Sequence, residues 1–308
     1  NTDYLSLLYA PLKATNPRVQ IHSISVWSHF RFIIAQSVGN KPILHYHWLE
    51  FQDMKSALAM PYKLFCIWLY CTLGGKLVWT VHNLEPHSKR WVSLHQGMHR
   101  WMARNASVVL THSRSAARLA EECLQVNPVK LVVHPHPSFP AAILPKEMAL
   151  KAFKKLINSN LESNTPILLM AGAISRYKGI LEVIEVLQSI PGAWRIVIAG
   201  YVKKGQSKLA EAIYKKAAED PRVSFLPRFI QEDEYSILFS AADVCLFNFS
   251  DILTSGGVEM ARAYQKSIYL PDLPALQDYK GHDLIRFFTS IDDLREQLLI
   301  FMQEYRNG

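Results

Sequence analysis

The sequence predicts an α/β architecture of two doubly wound domains in tandem, each a parallel sheet with helices on its faces. Three observations lead there. Short apolar runs alternate with longer stretches of helical periodicity along the chain, the pattern of βαβ units. A proline-rich segment, "PHPSFPAAILP" at 135–145, interrupts that alternation near the middle. The length of 308 residues and the 49% hydrophobic content are enough for two cores. The domains are therefore placed at 1–145 and 146–308. Tandem sheets of this kind face a central cleft between their carboxyl ends, where ligands bind.

In the first half the expected strands are "PILHYHW" (42–48), "KLVWTVHN" (76–83), "ASVVLTHS" (106–113) and "LVVHPHP" (131–137), ending in polar or histidine-bearing loops. Helical patterns lie between them at 56–73, 91–104 and 113–124. In the second half the strands are "PILLMAGA" (166–173), "WRIVIAG" (194–200), "VSFLPRF" (223–229), "VCLFNF" (244–249) and "SIYLP" (267–271). Helices near 179–190, 206–219, 231–241 and 257–265 separate them, and one amphipathic helix is expected inside the connecting segment. A last helix at 290–305 is free to pack on either domain.

The formal charge of +8 is unevenly placed. Residues 1–145 hold 14 Lys/Arg against 6 Asp/Glu, whereas the 20 bases and 20 acids in the rest of the chain cancel. Eleven of the 12 histidines precede residue 137. A basic half suits an acidic substrate, an anionic membrane or nucleic acid. No cluster of cations interleaved with aromatics stands out, so nucleic acid is not an expected partner. Cys66, Cys71, Cys123 and Cys245 sit in apolar surroundings without C-x-x-C spacing and read as buried free thiols of a reducing, cytoplasmic compartment. "LFCIWLYCTL" (64–73) is too short to cross a bilayer, which leaves a core helix or a helix lying on a membrane. No signal peptide is visible, and an opening at Asn1 rather than Met leads us to expect a preceding segment.

The stretch "SDILTSGGVEMARAY" (250–264) carries the densest chemistry. Thr254, Ser255, Gly256 and Gly257 come after a strand and open a helix, with Asp251 before them and Glu259 in the first helical turn. Free N–H groups at a helix start attract an anion, and glycine admits a phosphate closely. The same residues also make an ordinary strand-to-helix turn with Ser255 as its cap. "AGAISRYKGI" (171–180) likewise joins a strand to a helix and brings Arg176 and Lys178 beside Gly179, two cations suited to a diphosphate. Neither a GxGxxG fingerprint nor a P-loop is present. In the first half, "KLVWTVHNLEPHSKRW" (76–91) gathers His82, Asn83, Glu85 and His87 after a strand, a place for acid–base chemistry. His45 and His47 form a pair in "HYHW" whose third metal ligand the sequence does not supply.

The second half resembles the nucleotide-sugar-binding domain of GT-B glycosyltransferases. Their G-R-x-x-x-x-K-G pattern is matched by Gly172, Lys178 and Gly179, and their E-x7-E pattern by Asp251 and Glu259. The resemblance implies that Lys178 binds the donor diphosphate, Glu259 the ribose and Asp251 the donor sugar, with Thr254 to Gly257 cradling the phosphates. It also sets Phe229 and Ile230 of "LPRFIQEDEY" against the base. Two positions depart: Ala173 stands where the family has Arg, with Arg176 the nearest replacement, and Asp251 is shorter than Glu by roughly 1.5 Å of reach. The "TVHN…PH" and "ILHYHWLE" segments are similar to those of bacterial exopolysaccharide and lipid-linked-sugar transferases, which places His82 against the transferred sugar. "NTDYLSLLYAPLK" looks like the helix after the first glycine-rich turn of these enzymes, and on that resemblance the first strand of the N-terminal domain is expected to be missing from this sequence.

The resemblance thus implies a GT-B glycosyltransferase of surface polysaccharide synthesis. It would move a hexosyl group from a nucleotide sugar, GDP-mannose first and a UDP-hexose second, to a saccharide or lipid-linked saccharide. No metal or other cofactor is expected, and the basic half suits peripheral association with the inner face of an anionic membrane. If the reaction inverts configuration, Glu85 or His87 is the candidate base; if it retains, neither is required. A nucleotide-sugar epimerase, a phosphorylase, or a non-catalytic saccharide-binding scaffold on the same fold are the alternatives.

Overall fold

The structure, a computed structural model, describes residues 2–49, 54–85, 91–159, 161–162 and 164–307. The chain divides into two compact units, 1–137 and 138–308. The division falls earlier than 145/146 because Ala141 and Leu144 already pack against the core of the second unit.

The first unit runs α1 (Thr2–Thr15), α2 (Phe30–Ser37), β1 (Ile43–Tyr46), α3 (Met54–Thr72), β2 (Lys76–Thr80), α4 (Val92–Asn105), β3 (Val108–Thr111), α5 (Arg114–Leu124) and β4 (Leu131–Val133). Its four strands are parallel in the order β1-β2-β3-β4. β2 buries Leu77, Trp79 and Thr80 completely, as a central parallel strand must. Ser113 caps α5 by accepting a 3.0 Å hydrogen bond from the Ala116 N–H, which stops β3 and starts the helix in three residues. Of the cysteines expected to be buried, Cys66 and Cys245 are; Cys71 is half-buried and Cys123 is exposed on α5.

The second unit comprises α6 (Lys146–Leu156), β5 (Ile167–Ala171), α7 (Ile180–Gln188), β6 (Arg195–Ala199), α8 (Ser207–Glu219), β7 (Val223–Leu226), α9 (Glu232–Ala241), β8 (Val244–Leu246), α10 (Gly256–Ala263), β9 (Ser267–Pro271), β10 (Ile285–Phe288) and α11 (Ile291–Asn307). All six strands are parallel in the order β10-β9-β8-β5-β6-β7. The two-residue strand period sorts the core. Ile167, Leu169 and Ala171 of β5 join Phe153 of α6, Leu238 of α9 and Val258 of α10 on one face. Leu168 and Met170 join Val183 of α7, Ile213 of α8 and Leu298 of α11 on the other. The last helix thus belongs to the second unit, where Arg295 Nε also donates to Ser189 Oγ at 2.9 Å. β10 is a strand beyond those the sequence pattern predicts: Arg286 breaks its apolar run, and the strand closes one edge of the sheet.

Candidate functional site

In the second sheet the chain starts at β5, winds outward through β6 and β7, then crosses back to β8 and winds the other way. β5 and β8 therefore flank the point where strand order reverses, the place at which open α/β sheets bind ligands. The two loops singled out in the sequence leave the carboxyl ends of these two strands.

After β5, Gly172 (φ +97°) turns the chain and donates its N–H to Ala199 O at 2.8 Å. A side chain on Gly200 (φ +152°) would put Cβ 2.5 Å from the Gly172 carbonyl carbon and closer still to its oxygen. The backbones after β5 and β6 touch there, and only glycine allows it. Gly200→Ala is expected to cost about 3 kcal/mol in urea unfolding, since backbone rather than a movable side chain blocks the new methyl. A short 3-10 turn, Arg176–Lys178, ends at Gly179 in the left-handed region (φ +56°). Gly179 O accepts from Asn248 Nδ2 at 3.2 Å, Tyr177 O accepts from the Ser250 N–H at 2.8 Å, and the Tyr177 and Phe249 rings stack at 6.0 Å. The two loops are thus tied to each other.

Lys178 is half-buried, and its ammonium donates to Ala171 O at 3.0 Å. Among the described residues no carboxylate pairs with it. Removal from water, with Lys203 nearby, pulls its pKa down to about 7. Arg176 is exposed. After β8, Ser255 is buried and caps α10, its Oγ accepting from the Val258 N–H at 3.3 Å. Among the described residues nothing accepts from the N–H groups of Gly256 and Gly257, which stand open at the helix start. Thr254 beside them is half-buried. Glu259 in the same turn accepts from Arg262 Nη1 at 2.8 Å and from the Tyr279 hydroxyl at 2.5 Å. A carboxylate has about four acceptor positions, so Glu259 keeps capacity for further donors. Asp251 is half-buried and has no side-chain partner among the described residues. On the loop after β7, Phe229 is 65% exposed, but Ile230 is 2% exposed and packs in the core. Its side chain does not face a ligand, contrary to the expectation that it walls a base. Its backbone N–H and C=O have no partner among the described residues.

The carboxyl edge of the first sheet has another character. Every strand there ends in histidine: His45 and His47 at β1, His82 after β2, His112 after β3, His134 and His136 after β4. α1 crosses this edge. The Tyr4 hydroxyl donates to His112 Nε2 at 2.8 Å, a tautomer set by His112 Nδ1–H donating to His134 O at 2.8 Å. The Tyr9 hydroxyl bridges His45 Nδ1 (2.7 Å) and His47 Nε2 (2.9 Å), donating to one and accepting from the other. His45 Nε2 meets Thr80 Oγ1 at 2.8 Å. His82 stacks on Trp48 with ring centroids 4.7 Å apart, and its Nε2 lies 3.5 Å from His47 Nδ1. Burial and mutual repulsion lower four of these imidazoles: His45 and His112 to about 4, His47 to about 3 and His82 to about 2. Those four rings are therefore neutral at about pH 7 and offer hydrogen-bonding nitrogens without charge, His82 among them. Glu85 accepts from Gln96 Nε2 of α4 at 2.9 Å. His87 lies outside the described residues. Among the described residues no group of three or more His, Cys, Asp or Glu is arranged to hold a metal ion.

No family model and no curated protein sequence matches the chain. Solved structures do. HepE of Anabaena, in complex with UDP and glucose, superposes with a TM-score of 0.69 at 14% identity, covering 97% of this chain and 80% of its own. Sucrose-phosphate synthase of Thermosynechococcus elongatus gives 0.67 at 15%, covering 91% and 70%. A glycosyltransferase of Rickettsia africae gives 0.65 at 13%, covering 96% and 77%. The fold is that of GT-B glycosyltransferases.

On this GT-B frame, several residues near the candidate groups are not apparent from sequence pattern. Tyr4, His112 and Trp48 surround the expected sugar-facing His82, Tyr9 bridges His45 and His47 beside it, and Arg262 and Tyr279 hold Glu259. The signal for the first set is the histidine at the end of every strand, including the "THS" of β3, which by itself marks only a strand end. Tyr279 comes from a 3-10 turn at Pro274–Tyr279, and nothing local to it announces its carboxylate partner.

Proposed function

We propose that the chain is a glycosyltransferase that moves a hexosyl group from a nucleoside-diphosphate sugar to a saccharide or lipid-linked saccharide, as in exopolysaccharide synthesis at the inner face of the plasma membrane. The observation that carries this reading is Lys178, a desolvated ammonium without a carboxylate partner among the described residues, at the strand-order switch point. A donor diphosphate supplies the missing negative charge. In this reading the open N–H groups of Gly256 and Gly257 take a second phosphate oxygen, and Arg176 and Thr254 lie at the rim. Glu259 takes the ribose with the positions left by Arg262 and Tyr279. Asp251 holds donor-sugar hydroxyls, Phe229 covers the base, and the open backbone of Ile230 pairs with its edge. His82 hydrogen-bonds the sugar as a neutral group.

The reaction breaks the bond between the sugar C1 and the β-phosphate oxygen and forms one to the acceptor oxygen. The acceptor proton leaves to the departing phosphate or, in an inverting course, to Glu85 or His87. Lys178 and the helix start of α10 act by stabilising charge as it builds on the diphosphate. GDP-mannose remains the first donor to test and UDP-hexoses the second; HepE holds UDP. Ala173 at the usual arginine position favours a second reading, a nucleotide-sugar-binding protein without turnover.

Melting temperatures with UDP, GDP, ADP and their sugars test the donor site. A ligand at a hundred times its dissociation constant adds about 2.7 kcal/mol. One nucleotide is expected to raise the melting temperature, and Glu259→Gln to weaken that rise. No rise with any nucleotide would overturn the reading; a rise without release of nucleoside diphosphate in the presence of acceptors would favour the binding protein.

A further inference from the structure

Two adjoining helices of the first unit turn apolar faces to solvent. Along α3, Met54, Leu58, Pro61, Phe65 and Trp68 recur at alternating steps of four and three and are all exposed, Leu58 at 75%. The opposite face of the same helix, with Met60, Ile67 and Tyr70, is buried in the core. Beside it, Phe30, Ile34 and Val38 form an exposed stripe along α2 and its end. α2 lies along the second half of α3. Phe32 and Tyr70 meet ring to ring at 5.1 Å on the core side, and Gln36 Nε2 donates to Leu73 O at 3.1 Å at the far end. Trp27, 73% exposed, packs on Tyr62 and extends the surface.

A surface helix ordinarily turns polar residues to solvent, so an apolar stripe on the face opposite the core, contiguous with a second one, marks an interaction surface. The charge around it says which. Arg31 and Lys41 are exposed on and after α2, and Lys63 of α3 packs over the Tyr46 ring at 4.8 Å. Residues 4–49 and 54–84 contain no Asp or Glu. We propose that this α2–α3 face docks on the surface of an anionic bilayer, with Trp27, Leu58, Phe65 and Trp68 entering the interface and Arg31 and Lys41 meeting lipid phosphates. The helix lies on the membrane because its other face is committed to the core, and among the described residues no helix is long and apolar enough to cross one. The docking stands whether or not the chain transfers sugar, but it would bring a lipid-linked acceptor to the first unit.

Flotation with vesicles tests it, using phosphatidylcholine alone and equal parts of phosphatidylcholine and phosphatidylglycerol. The chain is expected to float with the anionic vesicles, weakly with the neutral ones, and less as salt is raised. Leu58→Glu with Phe65→Glu is expected to cut the bound fraction at least about tenfold, since both side chains lose their apolar transfer and gain a repelled charge. Circular dichroism reports whether this variant folds. Trp27→Ser, which leaves both helices untouched, is expected to weaken flotation as well. Absence of flotation with anionic vesicles overturns the proposal, as does equal flotation of folded variants. Dimerisation of the unaltered chain that Leu58→Glu with Phe65→Glu abolishes would assign the face to a second copy and overturn it too. The nucleotide melting series is independent, so failure of one experiment leaves the other readable.

Discussion

Lys178→Met is expected to abolish the rise in melting temperature that a nucleoside diphosphate produces, and to lower kcat/KM by about 10²- to 10³-fold, while leaving the unliganded chain at least as stable as before. The two effects separate because the ammonium is a burden without its anion. Burial and Lys203 hold it at about 7, against an ordinary 10.5, so between those values the unfolded chain binds more protons than the folded one. Stability of the free protein therefore rises with pH across that window, and the full penalty is present below about 7. Methionine fills similar space without charge and removes that dependence. Ligand affinity runs the other way. The diphosphate binds the protonated lysine, so above pH 7 binding takes up a proton and weakens by up to about tenfold per pH unit. Calorimetry in buffers of different ionisation enthalpy measures that uptake, and an affinity flat from about pH 7 to about pH 9 would show that Lys178 does not meet the anion.

Mild acid is expected to unfold the first unit. His45 and His112 sit at about 4, His47 at about 3 and His82 at about 2 in the folded chain, against 6.5 for a free imidazole. Folded values below unfolded ones mean that protons bind the unfolded state first. The stability is whole above about 6.5 and falls as pH drops toward 4 and below. Each such histidine steepens the fall by up to about 1.4 kcal/mol per pH unit, and several together exceed the margin of an ordinary domain within two units. Urea unfolding followed by tryptophan fluorescence at pH 7 and pH 5 measures it. Equal midpoints at the two pH values would contradict the enclosed, neutral state of these four histidines. Tyr9→Phe, which strips the shared hydroxyl from His45 and His47, is expected to cost about 1–2 kcal/mol at pH 7.

How much of the molecule is legible in the sequence depends on where the information lies. β5, β6, β8 and β9 are buried on both faces, so their apolar runs stand out against the helices between them. β10 is hidden because an edge strand needs only one covered face, and Arg286 sits in its middle. α2 is hidden for a related reason: His29 gives it no side-chain cap, and its apolar residues are split between core and solvent. At the candidate site, Gly172, Lys178, Gly179 and the Ser255–Gly257 turn are readable because backbone geometry and helix caps are local. Ile230 is not, because a loop isoleucine looks the same in sequence whether it faces a ligand or a core. The histidines are each visible, but their convergence on Tyr4 and Tyr9 exists only once four strands lie side by side under α1.

The order β10-β9-β8-β5-β6-β7 also bears on how the second unit assembles. β5 pairs with β6 across a single α7 crossover, but with β8 only after β6, α8, β7 and α9 have intervened. Closing the longer loop costs more chain entropy and comes later. The seam between the two half-sheets runs between the two loops proposed to hold the diphosphate, so neither half alone carries the paired donors. Nucleotide binding would then serve as a reporter of the last folding step, silent for any fragment that ends before β8.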